Sequence, residues 1–349
     1  MKVALITDTH FGARGDSVLF YDYMMEFYNN IFFPYLEENN ISTVIHLGDV
    51  VDRRKFINFN ILHRFKREFI GRLQDMKIDT HIIVGNHDTY YKNTNNINAM
   101  NELIDFCHPN SPKVYWEPKT IKVDGTEIFM LPWINSGNYQ DSLSSIKKTK
   151  ARFCMGHLEL AGFEMMRGMK CEDGMDMKLF SKFQSVFTGH FHHKSTYKNI
   201  TYLGSPYETT WVDYKDPRGF HIFDTDTGEI EFVQNPYHMF NKIWYNDKSK
   251  PDQDFSQYKG KYVKVIVEEK SNPYNFDMFI DNLYKSEVAD LGIVEEEIDF
   301  DSDDVNADDA AEDTIALLTK YIDNYELDVD KTKLKGIMQE LYQTALRGD

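Results

Sequence analysis

Ile82-Ile83-Val84-Gly85-Asn86-His87-Asp88 is the stretch on which the reading of this chain turns. Its β-branched apolar residues read as a buried strand. Gly85 then allows a sharp turn or a close backbone approach, and an amide, an imidazole and a carboxylate follow without a spacer. Four other runs repeat the plan. Val3-Ala4-Leu5-Ile6-Thr7 leads into Asp8-Thr9-His10, Ile45-His46-Leu47 into Gly48-Asp49, Phe153-Cys154-Met155 into Gly156-His157, and Val186-Phe187-Thr188 into Gly189-His190-Phe191-His192. In open α/β sheets ligands bind outside the carboxyl ends of the strands, so five such loops are expected to converge on one site. Amphipathic stretches at 18–38 and 57–75 are long enough for helical crossovers. Turn signals at Asp124-Gly125 and Thr227-Gly228 predict antiparallel hairpins within 113–131 and 195–233, added to the same sheet.

The converging side chains are carboxylate, amide and imidazole, with no thiolate, a donor set for manganese, iron or zinc. Asp8, His10, Asp49, Asn86, His157, His190 and His192 are enough for two divalent ions. If Asp49 bridges, each ion takes four protein ligands and keeps positions open for water and substrate, as metal-assisted hydrolysis requires. His46, His63, His81, His108, His193, His221 and His238 have no supporting pattern and read as ordinary core or surface imidazoles. A lone Gly-Asp or Gly-His pair is common by chance; the ordered set, always at a strand exit, is specific.

The D-x-H, G-D, G-N-H-D, G-H and G-H-x-H series resembles the calcineurin-like metallophosphoesterase superfamily. That resemblance implies an α/β fold with a two-layer β-sandwich flanked by helices and a two-metal site. Within the superfamily, Leu131-Pro132-Trp133, Gly204-Ser205-Pro206 and Asp216-Pro217-Arg218-Gly219-Phe220 are similar to the SbcD-type DNA repair nucleases, those of tailed bacteriophages included. Specific motifs cover residues 1–235, and beyond them only the general plan is shared. Carried onto this chain, the resemblance implies one ion on Asp8, His10, Asp49 and His192 and the other on Asp49, Asn86, His157 and His190. His87 matches the family's catalytic histidine, with Asp88 expected to orient its ring. The implied activity is a manganese-dependent 3′ to 5′ double-strand exonuclease and single-strand endonuclease in phage recombination, replication and end processing. The implied assembly is a homodimer within a heterotetramer, partnered by an SMC-like ABC ATPase. One departure stands out: where cellular relatives often carry a second histidine after Gly-Asp, this chain reads Val50-Val51-Asp52.

The 349 residues predict a nuclease domain over 1–236, a small α+β capping and DNA-binding domain over 237–294, an acidic linker over 295–313 and a helical hairpin over 314–349. A net charge of −17 argues against nucleic acid only until it is mapped. Residues 295–313 hold eleven acids and no base, which leaves the other 330 residues at −6. Such a run repels itself and cannot pack. Residues 53–77 carry eight cations against two acids, and Arg53, Arg54 and Lys55, just after Asp49, are expected on the DNA backbone. Tyr90 and Lys92 add a stacking ring and a cation near the cleft. After the linker, Ile315, Leu318 and Ile322 share one helical face and Leu334, Ile337, Met338 and Leu341 another. These faces either fold back on the body or dock the ATPase.

Three widely spaced cysteines and an N-terminus with only a short apolar run predict free thiols, no secretory signal and a cytoplasmic, membrane-free protein. Two rivals remain at this level. A small-molecule or cyclic-nucleotide phosphodiesterase has little reason for the residues beyond 237. A non-catalytic scaffold is expected to lose ligands, and all seven are present.

Overall fold

The computed structural model describes residues 1–166, 169–249, 253–295, 331 and 333–338. They form two units: Met1–Thr209 with Lys215–His238, and Thr210–Tyr214 with the described residues from Met239 onward.

The principal elements of the first unit are β1 (Lys2–Ile6), helix α1 (Val18–Phe27, Tyr28–Phe32 and Phe33–Glu38 in series), β2 (Thr43–His46), helix α2 (Phe59–Arg64, Phe65–Ile70 and Gly71–Asp75 in series), β3 (Asp79–Ile83) and β4 (Lys113–Tyr115). They continue as β5 (Lys119–Val123), β6 (Thr126–Leu131), α3 (Tyr139–Lys148), β7 (Phe153–His157), β8 (Ser185–Gly189), β9 (Ser195–Tyr197), β10 (Ile200–Tyr202), β11 (Gly219–Asp224) and β12 (Ile230–Gln234). Both long helices widen to a π turn midway. In α1 that turn precedes Pro34, which has no N–H to give and would clash with the carbonyl one turn back.

The strands make two six-stranded sheets, in the orders β12-β11-β1-β2-β3-β4 and β9-β10-β8-β7-β6-β5. The strand pattern alone reads as a single sheet with hairpins added, and this is corrected. β1, β2 and β3 pair in parallel in the first sheet, while β7 and β8 pair in parallel in the second. The hairpins β5–β6 and β11–β12 are antiparallel, as Asp124-Gly125 and Thr227-Gly228 predict, and β9–β10 is antiparallel too.

Alternation along each strand explains the layering. Val3, Leu5, Ile45 and Ile83 of the first sheet share one buried cluster with Ile128, Met130, Phe153, Met155 and Phe187 of the second. The fold is therefore a sandwich. The first sheet's other face is covered by α1 and α2, whose Tyr28 and Phe69 rings lie 4.9 Å apart. The second sheet's outer face packs Phe129, Cys154 and Val186 with Ile146 of α3. Both sheets are thus flanked by helices, and the five motif-bearing strands open at their carboxyl ends into one set of loops.

The elements described in the second unit include three parallel strands, β13 (Phe240–Tyr245), β14 (Tyr262–Val267) and β15 (Asp290–Glu295), and the helix α4 (Pro273–Lys285). Asn272 caps α4 by accepting the Asn275 N–H. Its Phe276, Phe279, Ile280 and Leu283 bury against Tyr245, Val263, Val265 and Val267. The expected acidic linker falls almost wholly outside the described residues, as do Ile315, Leu318, Ile322 and Leu341. Leu334, Ile337 and Met338 lie in the described helical stretch 333–338. Among the described residues no helix is long and apolar enough to cross a membrane.

Candidate metal centre

Four of the seven predicted ligands lie on distorted backbone at the strand exits. Asp8, His10, Asp49 and His190 have φ of 52°, 43°, 53° and 96°, a region L-residues avoid. Hydrogen bonds hold these turns. The Asp8 N–H donates to the Gly48 carbonyl at 3.0 Å and the His10 N–H to the Asp49 carbonyl at 3.1 Å. Gly85 is required by close approach: a Cβ there would sit 2.2 Å from Asp49 Oδ1 and 2.3 Å from the Asp49 nitrogen.

The seven side chains meet. His10 Nε2 and His192 Nε2 are 3.1 Å apart, and His10 Nε2 is 3.8 Å from Asp49 Oδ2. Asn86 Oδ1 lies 2.9 Å from both His157 Nε2 and His190 Nδ1, with Asp49 Oδ2 3.3 Å from His157 Nε2. His157 gives its Nδ1 proton to the Leu47 carbonyl at 2.7 Å, which leaves Nε2 as the inward-facing nitrogen. The ligand atoms of Asp8, His10 and His192, and those of Asp49, His157 and His190, lie within 4.8 Å of one another. Each of these contacts joins two lone-pair donors and needs a proton or a cation between them. The donor set and its geometry fit divalent metal ions.

The electrostatics agree. Burial lowers the affinity of His10 and His157 for protons, but the facing carboxylates overcome it and lift both to about 9: Asp52, Asp49 and Asp8 for His10, and Asp49 and Asp8 for His157. Burial works against ionised Asp49 too, yet His157 and His87 hold its carboxyl well below the usual range. Burial raises Asp8, with His157 opposing. Cations in this pocket compete with protons on the same rings, so affinity falls as pH falls.

His87 sits against the cluster, its ring 4.8 Å from that of His10 and perpendicular to it, and its N–H donates to Asp49 Oδ1 at 2.7 Å. The expected role of Asp88 is corrected. Its Oδ1 accepts the N–H groups of Val50 at 2.9 Å and Val51 at 3.2 Å, and its Oδ2 that of Gly85 at 2.9 Å. The carboxylate is engaged in stitching two turns together, while burial and the nearby Asp49 raise its pKa to about 6. The His87 ring is held instead through Nδ1 by the backbone carbonyl of Asp52. The Asp52 side chain stands 3.4 Å from His10 Nδ1. In the sequence Asp52 stands out only as a departure from relatives; a second Asp three positions after Asp49 is the available signal. Trp133, whose ring is 5.0 Å from that of His190, carries a motif to which the sequence attaches no role.

The expected DNA contacts are mixed. Arg53 follows Asp52 directly and is ion-paired with Asp16. Lys55 is exposed, its Nζ 5.9 Å from the Tyr90 ring centre. Tyr90 and Tyr91 are 40% and 50% exposed and Lys92 is exposed, so the tyrosines are not core residues. On α2, Arg64 bonds Asp22 and Glu68. Of the unsupported histidines, His46 is satisfied in the core by Thr9 at 3.0 Å and the Gly48 N–H at 3.2 Å, and His81 by the Tyr115 hydroxyl at 2.8 Å.

A profile of the calcineurin-like phosphoesterase family matches residues 1–194. Exonuclease subunit 1 of Enterobacteria phage T4 is 36% identical over 326 residues, covering 93% of this chain and 92% of that one. One of the subunits of the nuclease SbcCD from Staphylococcus epidermidis is 22% identical over 261 residues, covering 61% of this chain and 64% of that one. Among solved structures, a dimetal phosphatase from Danio rerio is 12% identical, with a TM-score of 0.40 over 64% of this chain and 91% of that one.

Proposed function

The chain belongs to the calcineurin-like phosphoesterase family, and from that membership we propose that it is the nuclease subunit of a DNA-processing complex, hydrolysing phosphodiester bonds with two manganese ions. The observation that carries the reading is the pair of ligand groups joined at Asp49 with His87 against them. The 36% identity to a phage exonuclease subunit supports it, because that likeness continues past the phosphoesterase motifs through nearly the whole chain.

Asp8, His10, Asp49 and His192 would hold one ion and Asp49, Asn86, His157 and His190 the other. Bound there, two divalent ions supply a nucleophile at neutral pH and positive charge to offset that of the attacked phosphoryl group. His87 gives its Nδ1 proton to the Asp52 carbonyl, which aims Nε2 at the cluster. Burial keeps the ring neutral at rest, and an incoming phosphodiester favours the imidazolium that protonates the leaving 3′ oxygen. Asp88 acts at one remove by fixing the turns that carry Asp49 and His87. Arg54, Lys55 and Lys92 take phosphates beside the cleft, Tyr90 offers a stacking face, and Arg53 joins them if Asp16 releases it. The double-strand exonuclease and single-strand endonuclease activities, a role in phage recombination, replication and end processing, host cytoplasm, a homodimer, and an SMC-like ATPase docked on residues 314–349 belong to the same proposal.

The test is manganese-dependent degradation of end-labelled duplex DNA by the full chain. His87→Ala and Asp49→Ala are expected to lose at least about a hundredfold in rate. Wild-type rates in both variants overturn the proposal.

A further inference from the structure

Two motifs of the sequence, Gly204-Ser205-Pro206 and Asp216-Pro217-Arg218, have no part in the chemistry above, and both lie beyond the residues that match the family profile. The structure brings them together behind His192. After β8 the chain turns at His190 and runs through Phe191, His192 and His193 without regular structure, so nothing in a strand or helix fixes the His192 ring. Its carbonyl is gripped instead. It accepts the Ser205 N–H at 3.1 Å and a second hydrogen bond from Arg218 Nη1. The same Nη1 donates to Ser205 Oγ at 2.6 Å, and Nη2 pairs with Asp216 Oδ2 at 2.8 Å. Asp216 also takes His193 Nδ1 at 3.0 Å, which holds the residue next to the ligand. Gly204, at φ 75°, presses on the same carbonyl: a Cβ there would stand 2.8 Å from it.

Arg218 is 5% exposed. Burying a guanidinium is costly unless it is paired and hydrogen-bonded, and here its two terminal nitrogens reach a carbonyl, a hydroxyl and a carboxylate at once. A lysine, a point charge on a flexible stem, cannot do so.

We propose that Arg218 is a positioning residue of the metal centre: with Ser205 and Asp216 it clasps the His192 carbonyl and so sets the direction in which the His192 ring meets His10 and Asp8. The inference rests on the metal-centre reading and not on the identity of the substrate.

The experiment is calorimetric titration of the metal-stripped full chain with Mn2+, alongside thermal unfolding of the same stripped samples. Wild type takes up two ions. Arg218→Lys keeps the charge and loses the fork; Asp216→Asn loosens the clasp without touching Arg218 itself or any ligand. In both, one ion is expected to bind about ten- to a hundredfold more weakly, as when a ligand's outer partner is removed, and the other at wild-type affinity. At the same added Mn2+, the exchange-coupled electron paramagnetic resonance signal of the manganese pair gives way to that of singly bound ions, while the unfolding midpoint stays close to wild type. Wild-type affinity for both ions in either folded variant overturns the inference. So does an equal loss at both sites that tracks a fall in the midpoint, which is what mere scaffolding produces. A wild-type chain that binds both ions and leaves DNA intact ends the nuclease reading and leaves the clasp standing.

Discussion

Four of the seven candidate ligands hold left-handed backbone, a conformation costing on the order of 1 kcal/mol or more for each such residue. It persists because partners over-determine it: Gly48 and Asp49 carbonyls hold the Asp8 and His10 amides, and Asp8 in turn accepts the His190 amide at 3.1 Å. The site is therefore shaped by the fold. A different kind of residue carries acid sensitivity. His221 is buried on β11, where burial, reinforced by Lys194, lowers its pKa to about 3. Its unfolded value is near ~6.5, so its contribution to stability is present above about pH 6.5 and is lost as pH falls toward 3. In metal-stripped protein, His221→Phe is expected to flatten this part of the acid limb. Between about pH 7.5 and pH 5 the difference in unfolding free energy shifts in the variant's favour by about 2 kcal/mol. Parallel curves for the two proteins would show that His221 does not titrate with unfolding.

At the scale of elements, the strand-exit motifs are legible in the sequence because each is local: an apolar run, a glycine and a ligand within a few residues. Helices at 18–38 and 57–75 are legible from amphipathic period, and the hairpins from Asp124-Gly125 and Thr227-Gly228. The division of five parallel-type strands between two sheets is not, because pairing partners are set by crossovers whose course leaves no mark in a strand's own residues. Nor are the Asp52 carbonyl under His87, the backbone duty of Asp88, or the Arg218 contact with His192, since main-chain partners and contacts across 26 positions carry no residue code. In the second unit α4 is legible from its apolar face, and packing confirms which residues matter there. Phe279 is fully buried, 5.0 Å from Tyr245 and 4.9 Å from Phe255 between ring centres. Phe279→Ala is expected to cost about 3–5 kcal/mol in that unit, seen as faster amide exchange across β13, β14 and α4, with Mn2+ affinity unchanged. A cost under about 1 kcal/mol would mean that the cluster is not the unit's core.

Over the whole molecule, charge is segregated. The body carries −6 and residues 295–313 carry −11, while Arg53, Arg54 and Lys55 stand immediately after the turn that bears Asp49 and Asp52. Part of that basic stretch is already neutralised, Arg53 by Asp16 and Arg64 by Asp22 and Glu68. If DNA contacts Arg53, Arg54 and Lys55, reversing all three to Glu weakens duplex binding and flattens the plot of log affinity against log salt by about 0.9 for each phosphate left without its cation. An unchanged slope removes the patch from the interface. The two sheets have a consequence of another kind. Asp8, His10, Asp49 and Asn86 leave the first sheet and His157, His190 and His192 the second, and His10 and His192, which meet at 3.1 Å, are 182 positions apart in sequence. An ion shared by such residues would be a rivet through both layers, closing a loop longer than half the chain. On the two-metal proposal, stripping the metal would take away more than catalysis: it would release a cross-link, and the resistance of the sandwich to being pulled or proteolysed apart would depend on its metal content.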